Sequence, residues 1–317
     1  MTDHFTLANF ASAFPQKGAP VHLAMGVFDG AHLGHRAIFD AAIAGARQSG
    51  GVAIALTFDP HPQVFFEGAG TVKLIYPLAQ RFQLFKDCGL DATICEPFTR
   101  AFASVPAVEF LSFLKKHVPA LSDVYCGENF CFGSQRGGNA KTLPIFAKRE
   151  GIKAHAIDAV KWKNKTISST RIRTALAAGM LEDANAMLGT NYFMTGTVIG
   201  GNQLGRTIGF PTLNVEWRYE TRVPFGAYAV RLVDLDTGTY FNGLANYGVR
   251  PTIGDLNDNA PLLETNLLVP AGTRVPTTGA NIRVELIVFL RRERKFASLN
   301  DLKQQLEQDK ALALTKL

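Results

Sequence analysis

At 317 residues the chain is too long for one ordinary domain and about right for two. Hydrophobic residues make up 47% and charged ones 19%, as in a soluble globular protein, and no apolar run reaches the ~18–20 residues of a membrane span. The net charge of +6 comes without an uninterrupted basic block, because Glu293 breaks the one cluster, Arg291–Lys295. Phosphate-bearing small molecules account for that charge as well as a polynucleotide does, so neither nucleic acid nor a membrane is the expected partner.

In chain order, the N-terminus has no basic segment before an apolar core. No signal peptide is therefore expected, and the cytoplasm is the expected location. The first ~160 residues alternate apolar runs with amphipathic stretches. Strands are predicted at 21–28, 52–58, 92–95, 122–127 and 153–158, and helices near 35–48, 77–88, 107–117 and 140–150. This alternation argues a parallel sheet with helices on both faces. Ligands bind such sheets at the carboxyl ends of strands, which points to the loop after Phe28. Cys88, Cys95, Cys126 and Cys131 form no Cys-x-x-Cys pair and read as free thiols.

That loop runs Gly26-Val27-Phe28-Asp29-Gly30-Ala31-His32-Leu33-Gly34-His35, with a helix starting near Gly34. A helix N-terminus offers unpaired N–H groups to phosphate. His32 and His35, three apart, share one face of the first turn and can donate to phosphate oxygens as charge builds. The plain alternative is two surface histidines at a helix start. Thr57-Phe58-Asp59-Pro60-His61-Pro62 follows the second strand, and its prolines fix the backbone around Phe58 and His61. Gly127–Gly133 follows the fourth strand; Phe130 and Phe132 could wall a flat ring and Asn129 could hydrogen-bond it, or the phenylalanines could be core. In Ile167-Ser168-Ser169-Thr170-Arg171-Ile172-Arg173 a serine can cap a helix, and Arg171 and Arg173 could meet a pyrophosphate or simply be solvated.

The helical stretch 168–188, with a break at Gly179, leads into a second pattern. From about Asn191 the strands shorten to 195–199, 227–234, 239–245, 263–269 and 281–290, which argues an antiparallel barrel or sandwich. Leu299–Leu314 reads as a C-terminal helix with Leu299, Leu302, Leu306 and Ala313 on its packing face. Gly205, Gly209 and Pro211 leave little bulk, so backbone amides could approach phosphates. Thr212 and Asn214 point the same way on an extended segment and suit Mg²⁺, unless the segment is only a Gly-Pro hairpin. Glu264 is a lone carboxylate in an apolar run. It is a candidate general base, or one half of a structural salt bridge.

The ordered set GVFDGAHLGH, TFDPHP, GENFCFG and ISSTRIR, then TGTVIGGNQLGRTIGFPTLN, GAYAV, NYGVRPT and FLRRERKF, closely resembles the bifunctional prokaryotic riboflavin kinase/FAD synthetase family over residues 18–312. The resemblance implies a Rossmann-like nucleotidylyltransferase domain at 1–186, an FMN adenylyltransferase. It implies a C-terminal antiparallel β-barrel with a C-terminal helix, a riboflavin kinase, at 187–317. It implies ATP as co-substrate, flavins as substrates and products, and Mg²⁺. Carried onto this chain, His32, His35, Gly26, Phe28 and Gly34 would handle ATP, and Ser168, Thr170, Arg171 and Arg173 the departing pyrophosphate. Phe58, Asn129 and Phe132 would shape the flavin pocket. In the second module Gly205, Thr212 and Asn214 would take Mg²⁺-ATP, and Glu264 would be the base.

The chain departs from that pattern after Glu264. Thr265 stands where the family usually has His, and Thr278-Gly279 where it has Tyr-Gly. Three readings stay open on sequence: both activities, FAD synthesis alone beside a degenerate kinase barrel, or a flavin-binding regulator on the same fold.

Overall fold

The computed structural model describes residues 4–15, 18–200, 212–249, 261–270 and 272–317. They form two compact units, Met1–Ser169 and Thr170–Leu317.

The first unit is built on six parallel strands in the spatial order His4–Phe5, Ala92–Pro97, Val52–Asp59, Val21–Met25, Leu121–Gly127, Lys153–Ile157. Every residue of Val21–Met25 is buried, as expected of a central strand covered on both faces. From this strand the chain first builds outward through Val52–Asp59, then returns to add Leu121–Gly127 on the other side. The order therefore reverses between Val21–Met25 and Leu121–Gly127. Their carboxyl ends open a crevice where open α/β sheets bind ligands. The two loops that leave these ends carry His32 and Asn129.

The predicted helices appear as Leu33–Ser49, Leu78–Asp87, Phe110–His117 and Leu143–Arg149. Leu33–Ser49 buries Ile38, Phe39, Ala42, Ile43 and Ala46 against the sheet and ends at Gly50 in a left-handed conformation. The edge strand His4–Phe5 and the helix Leu7–Ala13 were not predicted. They are held by tertiary contacts: the Glu96 carboxylate accepts from the Leu7 N–H at 2.8 Å, and Phe5, Phe10 and Phe14 pack on one another. At the strands' amino-terminal side, buried His22 contacts the Tyr125 hydroxyl and Ser49 Oγ, and His155 Nε2 meets Asp123 at 2.8 Å. That polar cluster is satisfied within itself.

The second unit is a six-stranded antiparallel sheet in the order Tyr192–Thr197, Asn281–Arg292, Gly226–Asp234, Tyr240–Val249, Pro261–Leu267, Thr212–Glu216. An antiparallel bridge from Ile199 to Asn214 joins the chain after the first strand to the last, which closes the sheet toward a barrel. Two register shifts between Gly226–Asp234 and Asn281–Arg292 supply the bend. Trp217, Tyr192, Tyr228 and Tyr247 fill the interior. The sequence pattern contained the strands of this sheet but read Thr212–Glu216 only as an extended segment.

The stretch 168–188 divides into helices Ser169–Ala177 and Leu181–Leu188, broken at left-handed Gly179. Past Ser169 these helices make their contacts within the second unit. Asn185 ties Leu181–Leu188 to that unit's sheet. Its amide donates to the Leu286 carbonyl at 3.0 Å and accepts from the Tyr192 N–H at 2.8 Å.

The C-terminal helix Leu299–Leu314 is capped by Ser298, whose Oγ accepts from the Asp301 N–H. Leu306 and Ala313 join an apolar cluster with Ala229, Leu244 and Val288. The predicted apolar stripe omitted two buried polar residues on this helix. Asp309, 3% exposed, takes a forked ion pair from Arg291 (2.9 and 2.6 Å) and a bond from Gln305 at 2.7 Å. Removing one member of a buried charge pair leaves the other uncompensated. Asp309→Ala is expected to destabilise the second unit by about 3 kcal/mol, read from its denaturant midpoint; a change below ~1 kcal/mol would assign the helix's anchorage to Leu306 and Ala313 alone.

Candidate active sites

The first site is shaped by backbone that few residues tolerate. Phe28 and Ala31 have φ of 53° and 42°, and Gly30 of 93°. The turn lays the Phe28 ring back over Gly26, where an added Cβ would stand 2.7 Å from Phe28 Cε1. The ring is buried against Phe39, Phe85 and the edge of His35. Phe28 thus supports the loop from below, and only its backbone could meet a ligand. Arg81 and Thr57 both donate to the Val27 carbonyl, at 3.1 and 2.7 Å. The Asp29 carboxylate accepts from the Ile75 N–H at 2.9 Å, and the Asp29 carbonyl accepts from Ser169 Oγ at 2.7 Å. Asp29, Arg81 and Ser169 were not singled out as site residues; all act through contacts distant in sequence.

His32 is the N-cap of Leu33–Ser49, and its Nδ1 accepts from the His35 N–H at 3.3 Å. In a neutral ring that bond leaves the proton on Nε2. The His32 and His35 rings stack with centroids 3.5 Å apart, inclined by 19°. Two imidazolium ions would repel there. Burial holds His32 down at about pKa 4. Burial, then His32 and Arg81, hold His35 well below its ordinary value. Both rings are therefore neutral N–H donors at pH 7, placed at the unpaired amides of a 17-residue helix. Gly34 fits close beside the pair: an added Cβ would lie 3.1 Å from the His32 ring.

The flavin candidates divide. Asn129 is exposed in the loop after Leu121–Gly127, on the crevice side of the sheet. Phe58 and Phe132 are 6% and 5% exposed and belong to the core, Phe58 packed on Phe98 and Phe102 and Phe132 on Phe110. His61 caps the short helix Pro62–Glu67. Ser168 is half-buried, Thr170 is exposed, and Arg173 donates to Thr170 Oγ1 at 3.0 Å. Arg171 lies half-buried in the same helix.

In the second unit, register assembles the site. Asn214 lies directly opposite Glu264, and Thr212 opposite Asn266. Side chains directly opposite share a face, so Thr212, Asn214, Glu264 and Asn266 do. Asn214 is 4% exposed, and its Oδ1 is buried with no hydrogen-bond partner among the described residues. An orphaned carbonyl oxygen beside a threonine hydroxyl and a carboxylate is the hard-oxygen donor set that Mg²⁺ prefers. Thr265 points to the other face, 1% exposed, with its methyl against the Gly243 backbone. The departure at 265 therefore leaves the polar row untouched. Gly205 lies outside the described residues. No cluster of three or more His, Cys, Asp or Glu among the described residues could hold a metal, and all four cysteines are free thiols.

Residues 15–171 match the FAD synthetase family model, and residues 188–317 match the riboflavin kinase model. A bifunctional riboflavin kinase/FMN adenylyltransferase from Bacillus subtilis is 33% identical over 92% of this chain and 91% of its own. The chain belongs to the bifunctional riboflavin kinase/FMN adenylyltransferase family. Members from Escherichia coli K12 (33% identical, 95% of this chain and 94% of its own) and Haemophilus influenzae (36%, 90% and 91%) match over the same extent. A crystal structure described as a macrolide-efflux protein from Streptococcus pneumoniae superposes with a TM-score of 0.82 at 26% identity, over 96% of each chain. No helix among the described residues is long and apolar enough to cross a membrane.

Proposed function

We propose that this chain converts riboflavin to FMN and FMN to FAD, using one ATP in each step. The first half rests on the neutral His32–His35 stack at a helix start beside the sheet's reversal point. The second rests on the row that sets Glu264 beside Asn214. As functional modules, 1–186 carries adenylylation and 187–317 phosphorylation.

In phosphorylation, the riboflavin 5′-hydroxyl attacks the γ-phosphorus of ATP, Glu264 takes the hydroxyl proton, and ADP leaves. Thr212 and Asn214 would hold Mg²⁺, which would neutralise phosphate charge; Gly205 would let the backbone approach the phosphates. In adenylylation, a phosphate oxygen of FMN attacks the α-phosphorus of ATP, and pyrophosphate leaves. His32 and His35 donate Nε2–H to the phosphate oxygens as charge accumulates, with Gly26, Phe28 and Gly34 forming the backbone cradle. Ser168, Thr170, Arg171 and Arg173 take the departing pyrophosphate. Asn129 orients the flavin, with Phe58 and Phe132 supporting its pocket from the core.

The test incubates the protein with ATP, Mg²⁺ and either riboflavin or FMN, then separates the flavins by chromatography. FAD from both substrates is expected. FAD from FMN alone would remove the kinase half, and FAD from neither would overturn the roles of His32 and His35.

A further inference from the structure

The face that carries Glu264 holds another amide. Asn246, on the strand Tyr240–Val249, lies directly opposite Glu264, just as Asn214 does from the other side. Directly opposed residues have Cβ atoms about 4.5–5.5 Å apart. Three adjacent strands therefore present one row, Asn214–Glu264–Asn246, with the carboxylate between two amides. Asn246 is half-buried, and among the described residues its side chain makes no hydrogen bond. Its strand neighbours on that face are small, and the Glu293 carboxylate lies beside them, 2.9 Å from a Cβ added at Gly248. Ala227 is its partner on the far side, and Gly248 follows on the same face, where an added Cβ would lie 3.6 Å from Asn246 Nδ2.

The two flanks of Glu264 differ in chemistry. The Asn214 flank offers oxygen donors, including an orphaned carbonyl, and its strand follows the Gly205–Pro211 segment in the chain. It suits phosphates and their cation. The Asn246 flank adjoins an apolar cluster: Leu244, two residues earlier on the same face, is buried with Ala229 and Ala313 against the C-terminal helix, and the partly exposed Leu268, Leu290 and Leu306 border it. A polyhydroxyl chain carrying a flat apolar ring needs that combination, an amide to meet hydroxyls beside an apolar wall. We infer that Asn246 is a substrate-contacting residue of the phosphorylation site, its amide holding the hydroxyl-bearing chain of the acceptor so that the terminal hydroxyl meets the Glu264 carboxylate. This rests on the kinase reading of the second unit.

The test uses the full chain with Asn246→Ala and Asn246→Ser. FMN formation is measured against riboflavin at saturating ATP, and against ATP at saturating riboflavin. FAD formation from FMN in the same preparations checks folding. Asn246→Ala is expected to raise KM for riboflavin about tenfold, the loss of one hydrogen bond, with KM for ATP within twofold and FAD formation unchanged. Asn246→Ser, which keeps a donor and an acceptor, recovers part of the loss. An unchanged KM for riboflavin, or an equal rise in KM for ATP, overturns the assignment. Equilibrium dialysis of riboflavin with wild type and Asn246→Ala separates this from failure of the kinase reading. A wild type that forms no FMN removes the kinase reading alone, and in that event coincident binding curves would still reject Asn246 as an acceptor contact while weaker binding by the variant would support it.

Discussion

His35→Ala is expected to lower FAD formation from FMN by about 10²–10³-fold, the usual cost of one preorganised donor to a developing oxyanion, and to leave FMN formation from riboflavin unchanged. The expectation follows from the geometry of the stack. With its Nδ1 engaged by the His35 N–H, the His32 ring keeps Nε2 as the donor that remains for a ligand. His35 Nδ1 is buried without a partner among the described residues, so Nε2 is the nitrogen assigned to the ligand in that ring. Because both rings are held neutral, the profile of FAD formation against pH should show no imidazole titration between about pH 6 and 8. The rings also tie stability to acid. His32 binds its proton at about pKa 4 when folded and near 6.5 when unfolded. Between those values the unfolded chain holds more protons, so stability falls as pH drops from 6.5 toward 4, by roughly 3 kcal/mol at the limit. A His35→Ala rate within threefold of wild type would place phosphate stabilisation on the helix amides instead.

What was legible in sequence followed local pattern. Alternation of apolar strands and amphipathic helices predicted the parallel sheet, and the loop after its central strand is where His32 and His35 stand. Strand parity placed Thr212 and Asn214 on one face before any partner strand was known. What was missed depends on contacts between distant segments. Phe58 and Phe132, for which pocket wall and core both stood open in sequence, are buried on Phe98, Phe102 and Phe110, none of which their own loops could announce. Asp29 and Arg81 gain their importance from Ile75 and Val27, 46 and 54 residues away. Asn246 was read only as part of a motif, because its opposition to Glu264 exists only in the sheet register. Thr265, conspicuous as a departure from the family pattern, faces the interior of the barrel, and parity alone would have shown it pointing away from Glu264.

Glu264→Gln is expected to abolish most phosphorylation, lowering kcat for FMN formation by about 10²–10⁴-fold, the range supplied by a positioned general base, while FAD formation from added FMN continues. Glutamine keeps the size of the side chain and its acceptor oxygen, so the strand Pro261–Leu267 retains its pairing with both neighbours. What is lost is the ability to take a proton from the attacking hydroxyl. The expected split is therefore in kcat, with KM for riboflavin and for ATP within about threefold, because a proton acceptor acts in the transition state rather than in binding either substrate. This distinguishes it from Asn246, whose removal should appear in KM for riboflavin. A raised KM for ATP with kcat preserved would instead place Glu264 among the groups that hold the cation, beside Asn214. Supplied with riboflavin, the Glu264→Gln protein should then accumulate neither FMN nor FAD, since its intact first site would have no FMN to adenylylate.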